Sequence, residues 1–567
     1  MKGIILMAMV LCWNISIAQN QSIPHLEKKN GSVQLIVNNE PFRMLGGELH
    51  NSSGGSAHFM RSIWSRMAKQ NLNTVIAPVS WELVEPQEGK FDFSLLDSMV
   101  AGARKENLKL VVLWFGSWKN GKSMYTPEWV KTNSKRFQLA NNKDNKSIDV
   151  LSTLSKNGQE ADARAFSEMM KYIKNIDSKE HTILMVQVEN EVGVLGSIRD
   201  FSETSTKAFN GQVPKELVDY LEKNKGKLFP PLEKVWADNG YKMTGTWEEV
   251  FGKGIQYEGE EWKTNFSFYT EELFMAWNYA NYIGGIAQKG KEQYPLPMYA
   301  NAWLRQPKQR IPGQYPSGGP LPEVMDIWRA AAPSIDFLAP DIYAVEVFDW
   351  ICEEFTRSGN PLFIPETVLG PTGAARAFYT IGKYNALCYA PFGIDGGGIF
   401  ASGDANDKAL GKVYDCLHNL EPFIKQYAGT AKMAGLFIDE GAADTKPLEL
   451  GDYTITARRF SSAGLFKMTG GMFGAAGEEE KRAAGLLVIK LQDNEFIVAG
   501  GVGGISVSVT KGKSSKWENI GIASVDEISF QNGKMLIHRL NGDETAMSAA
   551  VIKPGEVKIL KIKMYGY

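Results

Sequence analysis

Eight short apolar segments, separated by stretches of helical periodicity, constrain the fold of this 567-residue chain more than any other feature. Continuous apolar runs of this length are typical of strands buried on both faces of a parallel sheet. The strand candidates are residues 42–47, 73–78, 108–115, 183–191, 297–303, 337–343, 362–366 and 386–393. Helical patterns lie between most of them, at 56–70, 162–176, 269–289 and 321–331, and a last one follows at 408–427. Eight strand–helix repeats predict an α/β fold, the (β/α)8 or TIM barrel.

The predicted barrel is long because residues 194–268 separate its fourth and fifth strands. An insertion after strand four lies above the barrel mouth, where the C-terminal ends of the strands meet. We therefore expect it to shape the rim of a pocket, with a solvated excursion as the alternative. A short hairpin at residues 33–42 precedes the first barrel strand, so the barrel domain is predicted to span residues 19–427.

The two ends of the chain have different patterns. Lys2, an apolar stretch at residues 4–13 and the small-residue site at Ala18 predict a signal peptide, residues 1–18, and export to a periplasm or the cell exterior. No later segment looks transmembrane. Residues 428–567 alternate short strand patterns with turn signals, which predicts a C-terminal all-β sandwich domain. That domain shows no aromatic platform, so a buttressing role is favoured over carbohydrate binding.

Composition and the scatter of metal-binding residue types exclude several classes of function. The 62 basic and 64 acidic residues nearly balance, so neither a nucleic acid nor another polyanion is indicated as a partner. Cys12 leaves with the signal peptide, and Cys352, Cys388 and Cys416 have no metal-ligand spacing, so we expect buried free thiols. The six histidines are scattered without an HExxH motif. We expect no catalytic metal and no cofactor, and the sequence leaves the oligomeric state open.

One predicted strand changes abruptly from apolar to polar. After the apolar run at residues 183–186, Gln187, Glu189 and Glu191 fall on alternate positions of one extended segment. Unpaired buried charges are costly, so packing alone does not explain acids at a buried strand end. In barrels of parallel strands, that end is where active sites lie. A salt-bridged strand end is the alternative.

A second predicted strand also ends in an acid, Glu366, after the proline Pro365. Glu191 and Glu366 belong to predicted strands four and seven, whose ends converge at the mouth of a barrel. Hydrolysis of a glycosidic bond with retention needs two carboxyl groups about 5–5.5 Å apart, one as acid and one as nucleophile. The pair therefore predicts a retaining glycoside hydrolase.

The residues around both acids resemble those of clan A glycoside hydrolases. Within that clan, residues 187–193 (QVENEVG) resemble the Q-x-E-N-E-x-G motif of glycoside hydrolase family 35, the β-galactosidases. Residues 47–50 (GELH) and 81–93 (WELVEPQEGKFDF) resemble two further motifs of that family. The resemblance implies that Glu191 is the acid/base and Glu366 the nucleophile, that Asn190 binds the sugar 2-hydroxyl, and that Glu189 is a supporting residue.

The chain departs from the family pattern where galactose would be recognised. Glu82 and Val84 replace an Asn and a His, residues 113–118 (LWFGSW) lack a sugar-binding glutamate, and Asn51 replaces a tyrosine. The sequence therefore indicates the reaction type better than the sugar. Further candidates for the sugar pocket lie at or near predicted strand ends, with aromatic core or rim packing as the alternative: Glu48, Asn51, Trp114, Trp303 and Tyr343. Tyr343 is expected to hydrogen-bond the nucleophile, as a strand-six tyrosine does in this clan.

These features together predict a secreted retaining exo-β-galactosidase that removes terminal β-linked galactose from oligosaccharides or polysaccharide side chains. Its partner is then a carbohydrate substrate. An exo-β-glycosidase for arabinopyranose, glucose or glucosamine is the first alternative. A non-catalytic carbohydrate-binding protein on the same barrel is the second, although it would not need both carboxyl groups.

Overall fold

The computed structural model describes residues 22–254, 268–306, 308–396, 404–472, 480–531, 533–540, 545 and 550–567. The predicted signal peptide and part of the predicted insertion lie outside these residues. Up to residue 390, the described strands in chain order are β1 His25–Lys29, β2 Ser32–Val37, β3 Glu40–Phe42, β4 Met44–Glu48, β5 Thr74–Ser80, β6 Lys109–Lys119, β7 Leu139–Asn141, β8 Ser147–Leu151, β9 Ile183–Asn190, β10 Met298–Trp303, β11 Phe337–Asp341, β12 Phe363–Ile364 and β13 Cys388–Tyr389.

Eight of these strands form one parallel sheet in the order β11-β10-β9-β6-β5-β4-β13-β12. Its two outer strands meet at a parallel bridge between Ile342 and Thr367. There the Ile342 N–H donates to the Glu366 carbonyl oxygen at 2.9 Å. The sheet is therefore a nearly closed barrel, which confirms the predicted fold class, and each of the eight predicted strands overlaps one of its members.

Helices surround the barrel, and the amphipathic helices bury one face in the protein. In α1, for example, Ser56 caps the first turn by accepting from the Phe59 N–H, and Met60, Ile63 and Met67 form the buried stripe. The described helices up to residue 427 are α1 Ala57–Lys69, α2 Trp81–Val84, α3 Ser94–Lys105, α4 Glu128–Lys131, α5 Lys156–Asp177, α6 Glu203–Phe209, α7 Lys215–Lys223, α8 Pro230–Asp238, α9 Trp247–Phe251, α10 Thr270–Gln293, α11 Met325–Ala331, α12 Phe348–Thr356, α13 Pro371–Tyr384 and α14 Asp404–Tyr427. The described part of the predicted insertion contains α6 to α9.

Side chains along the barrel strands alternate between the interior of the barrel and the layer under the helices. Side chains at alternate positions, such as Val111, Leu113 and Phe115 of β6, belong to the cluster that fills the barrel. The remaining positions, such as Val112 and Trp114, join the larger cluster under the helices. Sheet β1–β3 contributes Leu35 to the inner cluster and pairs antiparallel, as expected for the predicted N-terminal hairpin.

The C-terminal part of the chain forms two antiparallel sheets. Its elements are β14 Met433–Ile438, β15 Leu448–Leu450, β16 Tyr453–Arg459, α15 Ser462–Met468, β17 Ala484–Gln492, β18 Glu495–Val502, β19 Ile505–Lys511, β20 Ile520–Gln531, β21 Lys534–Leu540, β22 Ala550–Ile552 and β23 Val557–Gly566. The strand orders are β14-β17-β18-β23-β20-β21 and β15-β16-β19-β22. One apolar core takes residues from both sheets, Val488 and Val507 among them. This sandwich confirms the predicted all-β fold of the C-terminal part.

The sandwich packs closely on the helix that follows Glu366. A Cβ at Gly485 of β17 would lie 1.9 Å from the Ala375 carbonyl oxygen of α13, so only glycine permits this approach. Cys352, Cys388 and Cys416 are free and buried, as predicted. No helix among the described residues has the length and apolarity needed to cross a membrane.

Candidate active site

Three buried carboxyl groups meet where β9, β11 and β12 reach the barrel mouth. Glu191 follows β9, Asp341 ends β11, and Glu366 lies two residues after β12. One carboxyl oxygen of each lies within 4.8 Å of the other two. Glu191 and Glu366 are only 6% and 4% exposed. The structure thus brings together the two acids that the sequence placed on different strands.

The carboxyl group of Glu366 has one occupied and one free oxygen. The Tyr343 hydroxyl donates to Oε2 at 2.7 Å, which is the contact expected for this tyrosine. Oε1 is buried and has no hydrogen-bond partner among the described residues. A hydrogen bond to one oxygen orients the carboxylate and stabilises its charge, while the other oxygen stays available to attack a bound molecule.

Glu191 is in an environment suited to holding and releasing a proton near neutral pH. Burial, reinforced by the charge of Glu366, raises the pKa of Glu191 to about 7, against the opposing effects of Lys119 and Asp341. A group that titrates near the working pH is well suited to general acid–base chemistry. Glu191 therefore matches the role of the acid, and Glu366 that of the charged partner.

The backbone around Glu191 differs from the extended strand that the sequence predicted. Glu189 and Glu191 have φ values of 64° and 46°, both in the left-handed region that non-glycine residues seldom adopt. The Glu191 N–H is held in this geometry by donating to Asn301 Oδ1 at 2.9 Å. As a result, Glu189 faces the helices outside the barrel, so the prediction that Gln187, Glu189 and Glu191 occupy alternate positions of one extended segment is wrong.

Asn190, between the two glutamates, is fully buried and surrounded by polar groups. Gln187 Nε2 lies 3.0 Å and Asn301 Nδ2 lies 3.3 Å from its Oδ1. The ammonium nitrogen of Lys119 lies 2.9 Å from the other terminal atom of the Asn190 amide. The predicted contact of Asn190 with a sugar hydroxyl stays a prediction, and these neighbours fix where its amide can point.

The structure adds three residues to the site for which sequence reasoning had assigned no role. Asn301 of β10 donates to Asp341 Oδ2 at 2.7 Å and thereby links β10, β11 and Glu191. Burial and the charges of Glu366 and Glu191 raise the pKa of Asp341 well above its ordinary value. Lys119, only 3% exposed, ends β6. A polar residue at or near the end of an apolar strand was the available signal for all three.

Glu48 at the end of β4 faces the same centre. Its carboxyl is fully buried, and neither oxygen has a hydrogen-bond partner of normal geometry among the described residues. Burial and the nearby charge of Glu366 raise the pKa of Glu48 well above its ordinary value. A protonated Glu48 can donate a hydrogen bond, which agrees with a position in the sugar pocket. Trp303, half-buried at the end of β10, is two residues from Asn301 and so lies on the same side of that strand.

Trp114 does not face the mouth, so its predicted place in the sugar pocket is corrected. It lies on the outer face of β6, fully buried, and packs edge-on against Phe166 of α5. Its Nε1–H donates to Asp162 Oδ1 at 2.9 Å. The physical reason is strand alternation: Leu113 and Phe115 occupy the interior of the barrel, so Trp114 between them points to the helices.

Asn51 lies in the loop after β4 and lines a cavity of about 120 Å³ on the mouth side of β4 and β5, together with Ser80, Leu83 and Tyr125. Its Oδ1 has no partner among the described residues. The Tyr125 ring packs at 4.7 Å against that of Phe115, so the cavity lies beside the barrel interior. The role of Asn51 in sugar binding stays a prediction.

The carboxyl groups of Glu191, Asp341 and Glu366 are also the one group of potential metal-ligating side chains within the described residues that lie this close together. Their surroundings favour protons as the counter-charge. The Tyr343 hydroxyl already binds one Glu366 oxygen, and burial raises the pKa of Glu191 and Asp341. The expectation of no metal and no cofactor stays a prediction.

Comparison with known protein families gives two matches. Residues 54–269 match the family model described as beta-galactosidase, glycoside hydrolase family 42, and residues 410–551 match a domain of unknown function, DUF5597. No curated protein matches the sequence.

Solved structures that resemble this one include three β-galactosidases. The enzyme of the Antarctic haloarchaeon Halorubrum lacusprofundi is 14% identical with a TM-score of 0.45, covering 66% of this chain and 58% of its own. The enzyme of the psychrophilic Marinomonas ef1 is 12% identical with a TM-score of 0.44, covering 71% and 62%. The enzyme of Bacillus circulans sp. alkalophilus is 11% identical with a TM-score of 0.47, covering 92% and 99%. The chain thus spans 58% and 62% of the lengths of the first two.

The matching family model is that of family 42, whereas the sequence motifs resemble family 35. The family 42 match and the family 35 motifs both indicate a clan A domain of the β-galactosidase type. This agrees with the enzyme class predicted from the sequence. The matched residues include Glu191 with its neighbours, and Glu366 lies beyond them on the same barrel. Residues 54–269 are therefore similar to a glycoside hydrolase domain of the β-galactosidase type.

Proposed function

We propose that the protein is a retaining exo-β-galactosidase in which Glu191 is the general acid/base and Glu366 the nucleophile. The observation that carries this proposal is the distance between the two carboxyl groups. One oxygen of each lies within 4.8 Å of the other. Retaining enzymes hold their two carboxyl groups about 5–5.5 Å apart, while inverting enzymes need about 6.5–9.5 Å to admit a water molecule between them.

The first step follows from the positions of the two carboxyl groups. Glu366 Oε1, which has no partner, attacks the anomeric carbon, while Tyr343 holds Oε2. The protonated Glu191 gives its proton to the glycosidic oxygen, the bond from that oxygen to the anomeric carbon breaks, and the leaving group departs as an alcohol. The sugar is then bound to Glu366 as an ester.

The second step reverses the role of Glu191. The ester removes the negative charge of Glu366, which is one cause of the raised pKa of Glu191, so this pKa falls once the intermediate forms. The Glu191 carboxylate then takes a proton from water, the water oxygen attacks the anomeric carbon, and the bond to Glu366 breaks. Glu191 is thus protonated in the first step and ionised in the second, as the reaction needs.

The mechanism is tested by the stereochemistry of the first product. Aryl β-galactoside hydrolysis is followed by proton NMR immediately after mixing, with Glu366→Gln as the inactive control. We expect β-galactose to appear first and the α-anomer only as mutarotation proceeds. If α-galactose appears first, the assignment of Glu366 as nucleophile is overturned.

The identity of the sugar is part of the proposal and rests on the resemblance of residues 187–193 to family 35 and the match of residues 54–269 to the β-galactosidase model. Departures at Asn51 and Glu82 keep other exo-β-glycosidases as the second candidate. The test is a panel of aryl β-glycosides that differ only in the sugar: galactose, arabinopyranose, glucose and glucosamine. A preference for galactose supports the proposal. A preference for another sugar shifts the specificity and leaves the mechanism, and no cleavage at all favours the non-catalytic alternative.

We also propose that the protein is exported, on the strength of the signal-like residues 1–18, which lie outside the described residues. Expression of the full chain in a Gram-negative bacterium, followed by cell fractionation and N-terminal sequencing, provides the test. A periplasmic or extracellular product that begins at Gln19 is expected. A cytoplasmic product that retains Lys2 contradicts this part of the proposal.

A further inference from the structure

The hydrogen-bond ladder between β6 and β9 is interrupted where the two strands approach the mouth. Trp114 pairs with Val188, and the next pair is Lys119 with Asn190. Residues 115–118 therefore lie opposite Glu189 alone, as a wide bulge in β6. A bulge leaves backbone N–H groups without a partner on the neighbouring strand, and buried N–H groups require an acceptor.

The side chain of Glu189 supplies acceptors to this bulge. The Ser117 N–H donates to its Oε1 at 3.0 Å, and the Trp118 N–H donates to its Oε2 at 2.7 Å. Glu189 is fully buried on the outer side of the barrel. Its two oxygens thus take the place of the missing ladder bonds, which explains a carboxyl group among apolar neighbours.

Asp162 of α5 contacts the same bulge. It accepts from the Ser117 N–H at 2.8 Å, from the Ser117 hydroxyl at 2.6 Å and from Trp114 Nε1 at 2.9 Å. A Cβ at Gly116 would lie 2.5 Å from Glu189 Oε1 and 2.6 Å from Asp162 Oδ2. Both carboxyl groups therefore pack against one glycine, and they share the Ser117 N–H.

The two carboxyl groups cannot both be charged in this place. Neither has an ion pair within the described residues, and both are fully buried. Burial raises the pKa of both groups, and the adjacent charge of Asp162 raises that of Glu189 further, well above its ordinary value. Like charges in contact in a dry site leave one proton bound. Asp162 accepts three donors and Glu189 two, so the proton belongs on Glu189.

We propose that Glu189 and Asp162 form an acid–carboxylate pair that fixes the bulge of β6 and so positions Lys119 and Glu191, in support of the catalytic site under the proposed function. Glu189 is a positioning residue, because it acts through backbone that ends in Lys119. The ammonium of Lys119 lies 2.9 Å from the Asn190 amide and lowers the pKa of Glu191. A displaced bulge would move the Lys119 charge away from both the Asn190 amide and Glu191.

The proposal makes a specific prediction about amide substitutions. Gln at position 189 keeps a donor toward Asp162 and an acceptor toward Trp118, so Glu189→Gln preserves the pair. Asn at position 162 has one acceptor oxygen where three donors converge, so Asp162→Asn does not preserve it. Glu189→Ala leaves the buried Trp118 N–H without an acceptor and leaves the Ser117 N–H with Asp162 as its acceptor.

The first test compares these three variants with the wild type on an aryl β-galactoside. We expect Glu189→Gln to keep kcat within about 10-fold and to keep the alkaline limb of the pH profile. We expect Glu189→Ala and Asp162→Asn to lose about 10²-fold in kcat with little change in KM, because a small misplacement of catalytic groups has effects of this size. The proposal is overturned if Glu189→Gln, with an unchanged Tm, loses as much kcat as Glu191→Gln.

The second test does not depend on activity and separates a failure of the pair from a failure of the proposed function. Infrared difference spectra of wild type against Glu189→Gln are recorded at about pH 9, where an ordinary carboxyl group is ionised. We expect a carbonyl band of a protonated carboxylic acid that is present in the wild type and in Glu191→Gln and lost in Glu189→Gln. Absence of this band from the wild type overturns the pair even if the enzyme is active.

Discussion

Glu189 lies in β9 and Glu191 directly follows that strand, and both are buried carboxyl groups with raised pKa values, yet their surroundings differ. Glu189 faces α5, and its two oxygens accept backbone N–H groups of Ser117 and Trp118. Glu191 faces the mouth, where the acids Asp341 and Glu366 are its neighbours. Its carboxyl oxygens accept no backbone hydrogen bond within the described residues.

The difference shows that burial and a raised pKa do not by themselves identify a catalytic acid. A carboxyl group whose oxygens are all occupied by fixed donors holds its proton and its position. A carboxyl group that lies beside other acids and accepts no fixed backbone donor can exchange its proton with a bound molecule. Replacing Glu by Gln is thus expected to lower kcat strongly in the cluster at the mouth and to lower it little in the pair under α5.

The largest expected effect is at Glu366. Glu366→Gln removes the charged oxygen that attacks the anomeric carbon, so kcat should fall by about 10⁴-fold or more, the range found when a covalent nucleophile is removed. Steady-state hydrolysis of an aryl β-galactoside measures the loss, and circular dichroism confirms folding. The surface variant Glu128→Gln serves as a matched control with unchanged kcat. A Glu366→Gln enzyme with a tenth of wild-type kcat would contradict the assigned role.

The next effect is at Glu191. Glu191→Gln should lower kcat by about 10²–10⁴-fold for substrates with poor leaving groups, because no proton reaches the glycosidic oxygen. Only the protonated form donates, and the pKa is raised to about 7, so wild-type activity should fall as the pH rises through about 7. The variant should lack this alkaline limb. Retention of the limb in Glu191→Gln would assign the titration to another group.

A smaller effect is expected at Tyr343. Its hydroxyl donates to Glu366 Oε2 at 2.7 Å, and a hydrogen bond to a charged acceptor contributes about 1.5–3 kcal/mol. Tyr343→Phe should therefore lower kcat/KM by roughly 10- to 200-fold. The aromatic ring remains in Tyr343→Phe, so the inhibition constant of a competitive sugar inhibitor should change little. An unaltered kcat/KM would mean that the bond orients nothing that the reaction needs.

The sequence predicted the parts of the site that follow from strand ends. Glu191 and Glu366 each close an apolar run, and parallel strands in a barrel bring such ends together. Tyr343 was found in the same way. Trp114 was misplaced although strand alternation puts it outside the barrel, between Leu113 and Phe115. The direction of Glu189 depends on its left-handed φ and on the bulge at residues 115–118. Neither feature has a mark in a pattern of apolar and polar residues.

The fold was predicted more fully than the site because it depends on repeated patterns. All eight barrel strands were found, with bounds that differ most at β13, which is shorter than predicted, and at β6, which continues to Lys119. β12, of two residues, is also shorter than predicted. Pro361 and Pro365 flank β12, and proline cannot donate to a ladder, so the apolar run there is longer than its paired part. The hydrogen bonds of Asn301 join separate strands and could be seen only in three dimensions.

Lys119 provides a finer comparison of the two acids, since it is at the end of the bulge held by Glu189 and beside Glu191. Its charge lowers the pKa of Glu191, so Lys119→Met should raise that pKa and move the alkaline limb of the pH profile to higher pH. The half-buried Lys122, three residues on, gives the matched control Lys122→Met with an unmoved limb. A limb that moves to lower pH in Lys119→Met would contradict the assigned contact.

The smallest effect on catalysis is expected at Trp114, which lies on the outer face of β6. Trp114→Phe removes the hydrogen bond to Asp162 Oδ1 and part of the contact with Phe166, so the free energy of unfolding should fall by about 1–3 kcal/mol. KM should stay at its wild-type value, because the side chain does not face the mouth. Trp303→Phe, on the mouth side of β10, is the matched variant and should raise KM with little loss of stability. Thermal unfolding and steady-state kinetics on both variants separate the two positions, and a raised KM in Trp114→Phe with unchanged stability would return Trp114 to the sugar pocket.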